Sequence, residues 1–242
     1  MKKIIALMLA LVCCFALFAC GEEEVVTNGV LDTITYYGNS QPTKVETVTC
    51  QTILDDDGVS AVEVLNGNYV LVTGKINGKI ATVKTYTQDV LRSIEDGSTD
   101  KVLPPKTTVS GSEEYLEDYG YRVNGGAWNP DGYNFSPALG AIAIGITEAN
   151  VGSYTYTEEK YNNTLTFTVA NAKIGEVFGV DEDGVPMIIA DSDVDVVITN
   201  NGAVVTSITL SYYVEADGDY PAREVTVSVS YTYAVEEVTL TK

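Results

Sequence analysis

The sequence contains no histidine and one tryptophan, and it carries only 14 Lys and Arg against 34 Asp and Glu, a formal charge of -20 over 242 residues. Without histidine the commonest general base and the commonest metal ligand are missing, so Ser-His-Asp, Cys-His and His-zinc chemistry are excluded. The shortage of cations excludes nucleic acid as a partner, because a polyanion repels phosphates instead of displacing their counterions. No segment repeats apolar residues at helical spacing for long enough to make a bundle or a coiled coil. No glycine-rich phosphate loop is present. Ser98-Thr99-Asp100-Lys101 has the Ser-x-x-Lys spacing of penicillin-recognising enzymes, but Lys106-Thr107-Thr108 departs from the Lys-Thr-Gly that should follow. With 34 acids, a neighbouring carboxylate pair carries no information about glycoside hydrolysis. No enzyme activity and no cofactor are expected. At 45% hydrophobic residues, however, the chain can bury a core and is not a disordered acidic tail.

Met1-Lys2-Lys3 opens the chain with positive charge, and Ile4 to Ala19 follows as an unbroken apolar or small-residue run. That run has the length of a secretory core and is shorter than the roughly 18 residues of a spanning helix. It closes on Leu17-Phe18-Ala19-Cys20-Gly21. These residues resemble the lipobox of bacterial lipoproteins, in which a small residue precedes the modified cysteine. The resemblance implies diacylglyceryl transfer to the Cys20 sulfur, cleavage before Cys20 and acylation of the new amino terminus, with palmitate among the acyl chains; the alternative is an uncleaved N-terminal anchor. Residues 1–19 are then a signal peptide and 20–29 a lipid-anchored tether beginning Glu22-Glu23-Glu24. Two or more acyl chains hold a protein stably to a membrane, whereas one does not. The expected location is a cell membrane, lipid-anchored and facing outside the cytoplasm. Cys13 and Cys14 leave with the peptide and Cys20 carries lipid, so Cys50 remains as the single thiol. It lies inside Lys44 to Leu54, a strand by its β-branched content, and reads as a small buried hydrophobe.

From residue 30 to 242 the pattern is that of one β-rich domain. Thr, Val, Ile and Tyr dominate runs separated by turn residues. Asn66-Gly67, Asn77-Gly78 and Asn200-Asn201-Gly202 each predict a hairpin, since Asn and Gly accept the positive φ of tight turns. Arg223 to Ala234 alternates, with Val225, Val227, Val229, Tyr231 and Tyr233 on one side and Glu224, Thr226, Ser228, Ser230 and Thr232 on the other. This predicts a sheet with one buried and one wet face. Helix signals are short. Ser136-Pro137 opens a stripe of Leu139, Ile142, Ala143 and Ile146. Asn171 caps Ala172 to Phe178, stopped by Gly179. Gln88 to Glu95 and Ser112 to Asp118 are further one- or two-turn candidates. A central helix and loop segment near residues 87–150, rich in Gly and Pro between Asp96 and Pro137, reads as a lid-like connection within the domain. The acidic clusters that recur along the chain, Asp55-Asp56-Asp57-Gly58, Asp181-Glu182-Asp183-Gly184, Asp191-Ser192-Asp193-Val194-Asp195 and Asp217-Gly218-Asp219, read as solvated turns. None completes a calcium loop, and no metal is expected.

Strands, short central helices and strands again resemble the LolA/LppX-like lipoprotein fold. The resemblance is carried best by Asn163 to Val169, the helix ending at Gly179 and Val194 to Tyr233. It implies a mainly β (α+β) architecture, a single curved antiparallel sheet or half-barrel wrapped around a few short helices. It also implies an apolar, lipid-like ligand carried between sheet and helices, with Leu139, Ile142, Ala143 and Ile146 lining the space. The central loop holds Tyr115, Tyr119, Tyr121, Trp128, Tyr133 and Phe135, and its rings either cover the open end of the sheet or bind a ligand, with Trp128 and Tyr133 foremost. Carriage of an apolar ligand by a monomer is the leading expectation. A surface adhesion or glycan-binding module using the Tyr/Trp loop, and a structural envelope protein without a small ligand, are the alternatives.

Overall fold

A computed structural model describes residues 42–55, 58–93, 105–131, 153–160, 162–181, 183–202, 204–218, 220–234 and 238–240. The signal peptide, Cys20, the tether, Ser98 to Lys101, the 136–146 helix with Leu139, Ile142, Ala143 and Ile146, and Tyr133 and Phe135 lie outside the described residues.

Ten strands form one antiparallel sheet. β1 (Lys44–Leu54), β2 (Ala61–Ile76), β3 (Lys79–Asp89), β4 (Thr108–Leu116) and β5 (Gly120–Val123) run outward as a meander. β6 (Tyr154–Glu158), β7 (Asn163–Val169), β8 (Val194–Asn200), β9 (Val205–Val214) and β10 (Arg223–Thr232) return from the far edge, so that β10 pairs with β1 at the centre. Strands from both ends of the chain therefore share one sheet. It does not close, because β5 and β6 are its two edges. The outer side of β5 is partly covered by an antiparallel bridge between Tyr121 and Asn129.

The alternation of β10 predicted its two faces correctly. Val225, Val229 and Tyr231 are buried and Val227 packs on the core, whereas Glu224, Thr226 and Ser230 are exposed. Register carries that side across the sheet, through Leu210 and Ile208 of β9, Val196 and Ile198 of β8, and Phe167 and Leu165 of β7. α1 (Ile174–Phe178) lies over these residues with Ile174, Val177 and Phe178 buried among them. Five residues cannot hold a helix by backbone propensity, so burial of three apolar side chains, each contributing about 1.5–3 kcal/mol, does it.

The helix begins differently from the sequence expectation. Asn171 does not cap it; Asn171 to Lys173 form a 3-10 turn whose capping residue is Ala170, with no side-chain cap. The Asn171 N–H instead donates to the Asp193 carboxylate (2.9 Å), and its side-chain amide donates to the Ala190 carbonyl (2.8 Å). Gly179 ends α1 at φ 87°, as expected of a stop that needs left-handed backbone.

Three further expectations are corrected. Asn66-Gly67 is not a turn: it sits in the middle of the 16-residue β2, with Gly67 between Thr49 of β1 and Gln88 of β3. Gln88 and Asp89 end β3 rather than starting a helix. Ser112 to Leu116 belong to β4, where alternate burial of Ser112 and Glu114 follows strand period, not helix period. The central segment thus adds β4 and β5 to the sheet, and among the described residues α1 is the single α-helix. Asn77-Gly78 does make a hairpin, with φ of 51° and 82°.

On the opposite face a smaller cluster forms from Ala81 and Val83 with Val72, Ile76 and Leu116, closed by Val238 and Leu240 of the C-terminal segment. Cys50 projects from this side of β1 and is half-buried, a correction to the expectation that it is a core residue.

Candidate functional site

The helix-bearing face changes character along the sheet. Over β7 to β10 it is sealed: Phe167 is 3% exposed, and Val194, Val196 and Ile198 are 0%. Space between α1 and the sheet is therefore core. Register places Leu65, Gly67, Tyr69 and Leu71 of β2 on the same face, followed by Gln88, Tyr86, Lys84 and Thr82 of β3. Gly111, Glu113 and Tyr115 of β4 and Tyr121 of β5 continue it. Leu65 and Gly67 are buried here; the other named residues are half-buried and, Leu71 and Gly111 apart, polar or aromatic.

Tyr69 and Tyr86 face each other across β2 and β3, with ring centroids 6.4 Å apart and planes 25° apart. Each ring lies toward a glycine. A Cβ on Gly67 would come within 3.2 Å of Tyr69 Cε2, and one on Gly111 within 2.7 Å of Tyr86 Cζ. The two glycines leave troughs that the tyrosines fill, which lays the rings along the sheet. The Tyr69 hydroxyl donates to Gln88 Oε1, and burial together with the neighbouring Tyr86 raises its pKa above the usual tyrosine value. Tyr121 is likewise raised, by burial first and by Glu113 second. Lys84 and Glu113 form an ion pair at 3.3 Å on the same face.

The central aromatic residues are divided between surfaces. Tyr115 and Tyr121 are cross-strand neighbours on the helix-bearing face. Trp128 lies with Arg122, whose cross-strand partner is Glu114, on the opposite face; the guanidinium carbon stands 4.5 Å from the Trp128 ring centroid. Tyr119 meets Trp128 at 6.1 Å and 57°, and Lys79 sits 4.9 Å from the Tyr119 ring while pairing with Asp118 at 2.8 Å. The Trp128 neighbourhood is thus a cation–π and ion-pair corner around a buried carboxylate, Glu114. Sequence reading missed Tyr69, Tyr86, Gly67 and Gly111 as a unit. The signal was present as two glycines opposite or adjacent to tyrosines, but only pairing register brings them together.

The acidic turns use their carboxylates locally. Asp55 accepts from the N–H groups of Val59 (3.0 Å) and Ser60 (3.2 Å), and Asp181 from those of Asp183 (3.0 Å) and Val185 (2.8 Å). Asp217 accepts from Tyr220 N–H at 3.2 Å. These are Asx-type turns, as their sequences predict. Asp89, at the end of β3, is held down to about 2 by Lys106, the Thr108 hydroxyl and the Asn66 N–H. Among the described residues there is no group of three or more Cys, Asp or Glu arranged to hold a metal ion, and no helix long and apolar enough to cross a membrane.

No family model matches the chain, and no curated protein matches it. Among solved structures, the chain is similar to a DUF1329 family protein from Desulfovibrio piger, a crystal structure at 1.75 Å resolution. The two are 9% identical over 89% of this chain and 95% of that one, with a TM-score of 0.24. At that score nothing is carried over to this chain.

Proposed function

We propose that the chain is a non-enzymatic lipoprotein of the cell envelope, tethered through Cys20, that binds an apolar, lipid-like ligand on the helix-bearing face of a LolA/LppX-like sheet. The lipobox-like Leu17 to Gly21 supports the anchor. One observation carries the ligand reading: a single sheet face is buried over β7 to β9, where α1 packs, and apart from the buried Leu65 and Gly67 is half-buried over β2 to β5. Leu71 and Val227 sit at the margin, half-buried and packed on the core. An apolar chain laid beside α1 extends that core and removes apolar surface from water at about 25 cal/mol per Å². The ligand therefore lies beside α1 at the margin of the sealed core, where Val227 and Leu71 are half-buried, and not beneath the helix. The protein works as a monomer, needs no cofactor and performs no chemistry on what it holds.

Two measurements test this. Incorporation of labelled palmitate into the wild-type chain, and its loss in Cys20→Ser, checks the anchor; labelling that survives Cys20→Ser overturns it. Lipid recovered in stoichiometric amount by organic extraction of Cys20→Ser protein, made without residues 1–19 and purified from host extract, checks the ligand. Protein that stays lipid-free after incubation with host membranes overturns carriage.

A further inference from the structure

We propose that the Tyr69–Tyr86 pair is a binding platform for a neutral saccharide, a site on β2 and β3 that does not depend on lipid carriage. Two near-parallel rings laid along a sheet, 6.4 Å between centroids, present adjacent aromatic surface to a chain of pyranose rings. The apolar C–H faces of sugars pack on such rings while their hydroxyls need hydrogen-bonding groups at the rim. Gln88 and Thr49 supply these, since both flank Gly67 on the same face. Gly67 and Gly111 allow the arrangement. A side chain at either position would disturb it: a Cβ on Gly111 would meet the Tyr86 hydroxyl at 2.5 Å, and one on Gly67 would meet Thr49 Oγ1 at 2.4 Å and press on Tyr69 Cε2 at 3.2 Å.

Charge selects the class of ligand. The whole chain carries -20, yet among the described residues the charged groups bordering this platform, Lys84 and Glu113, neutralise each other at 3.3 Å. The platform is a locally neutral spot on a polyanion. It fits an uncharged polyol, while the overall field repels sulfated or carboxylated sugars. Trp128, the residue that sequence reading favours for sugar contact, has the Arg122 guanidinium over its ring and lies on the other face of the sheet.

The test uses the Cys20→Ser chain lacking residues 1–19, titrated calorimetrically with the β-1,4-linked tetrasaccharides of glucose and of N-acetylglucosamine, and with a sulfated tetrasaccharide. The expected result is binding of at least one neutral probe and none of the sulfated one. Tyr69→Ala and Tyr86→Ala should each weaken it tenfold or more, Tyr69→Phe by a few-fold, and Trp128→Phe not at all. Since the alanine variants can lose their fold, ring-labelled tyrosine spectra of the unmutated chain provide a second readout. Assigned by Tyr→Phe substitution, the Tyr69 and Tyr86 signals should shift first as the sugar is added. Absence of binding by both neutral probes at millimolar concentration overturns the proposal. So does binding that Trp128→Phe abolishes, or shifts confined to other tyrosines. Lipid extraction of the same sample reports on carriage separately, so either reading can fail alone.

Discussion

Glu114 of β4 is 0% exposed, and its carboxylate accepts a hydrogen bond from the Nε–H of Arg122, its cross-strand partner on β5. The pair lies beside the small cluster of Ala81, Val83 and Leu116, with Trp128 covering the guanidinium. A carboxylate in that position is tolerated only while its partner is present. Arg122→Met should therefore cost about 3–5 kcal/mol by urea denaturation, because the buried carboxylate loses its ion-pair partner. Glu114→Met combined with Arg122→Met should recover most of that loss. A cost below about 1 kcal/mol for Arg122→Met alone would mean that the pair is incidental.

The trough at Gly111 gives a second prediction. A methyl group there collides with Tyr86, so Gly111→Ala should destabilise the fold by about 1–3 kcal/mol through overpacking. In a Tyr86→Ala background the same change should be far less costly. A double-mutant cycle measures the difference, expected at about 0.5–3 kcal/mol of coupling. Additive effects would show that the ring does not occupy the trough.

Asp89 sets an acid dependence. Its folded pKa of about 2 lies below the unfolded value of roughly 4, so its contribution is complete above the unfolded value and is lost as pH falls through the folded one. Asp89→Asn should lower the thermal midpoint at pH 6. The gap to wild type should narrow between about pH 4 and pH 2 and close below that. A gap constant across this range would contradict the role given to Lys106, Thr108 and the Asn66 N–H.

α1 is held by what it buries. Phe178→Ala, at a residue 3% exposed, should cost about 3–5 kcal/mol. Met187→Ala, nine residues on and 55% exposed, should change stability by less than about 0.5 kcal/mol. Chemical denaturation midpoints of the two variants check the contrast. Equal losses would mean that α1 does not seal the sheet.

What could be read from the sequence was whatever is local. The alternation of Val225 to Tyr231 gave the faces of β10, and Asn77-Gly78 gave a hairpin because both residues adopt positive φ. Asn66-Gly67 carries the same dipeptide and makes no turn. Gly67 is there for the close approach of Thr49 and the Tyr69 ring, a requirement that arises only once β1, β2 and β3 are paired. Ser112 to Asp118 does not show its strand period in the sequence, because the buried side of β4 there carries the polar Ser112 and Glu114. Arg122 and Asn124, which accommodate them, come from β5 and the turn after it. The tyrosine platform was hidden for the same reason: its four residues come from three strands. The sequence-predicted helix at 136–146 and Cys20 lie outside the described residues and rest on the sequence alone.

The central claim is that the half-buried margin of the core beside α1 holds an apolar ligand. Native mass spectrometry of the Cys20→Ser chain lacking residues 1–19, recorded as purified and again after organic extraction, tests it most directly. The account predicts a mass excess at one ligand per chain that extraction removes and incubation with host membranes restores. A mass equal to that of the bare chain in all three samples would contradict it.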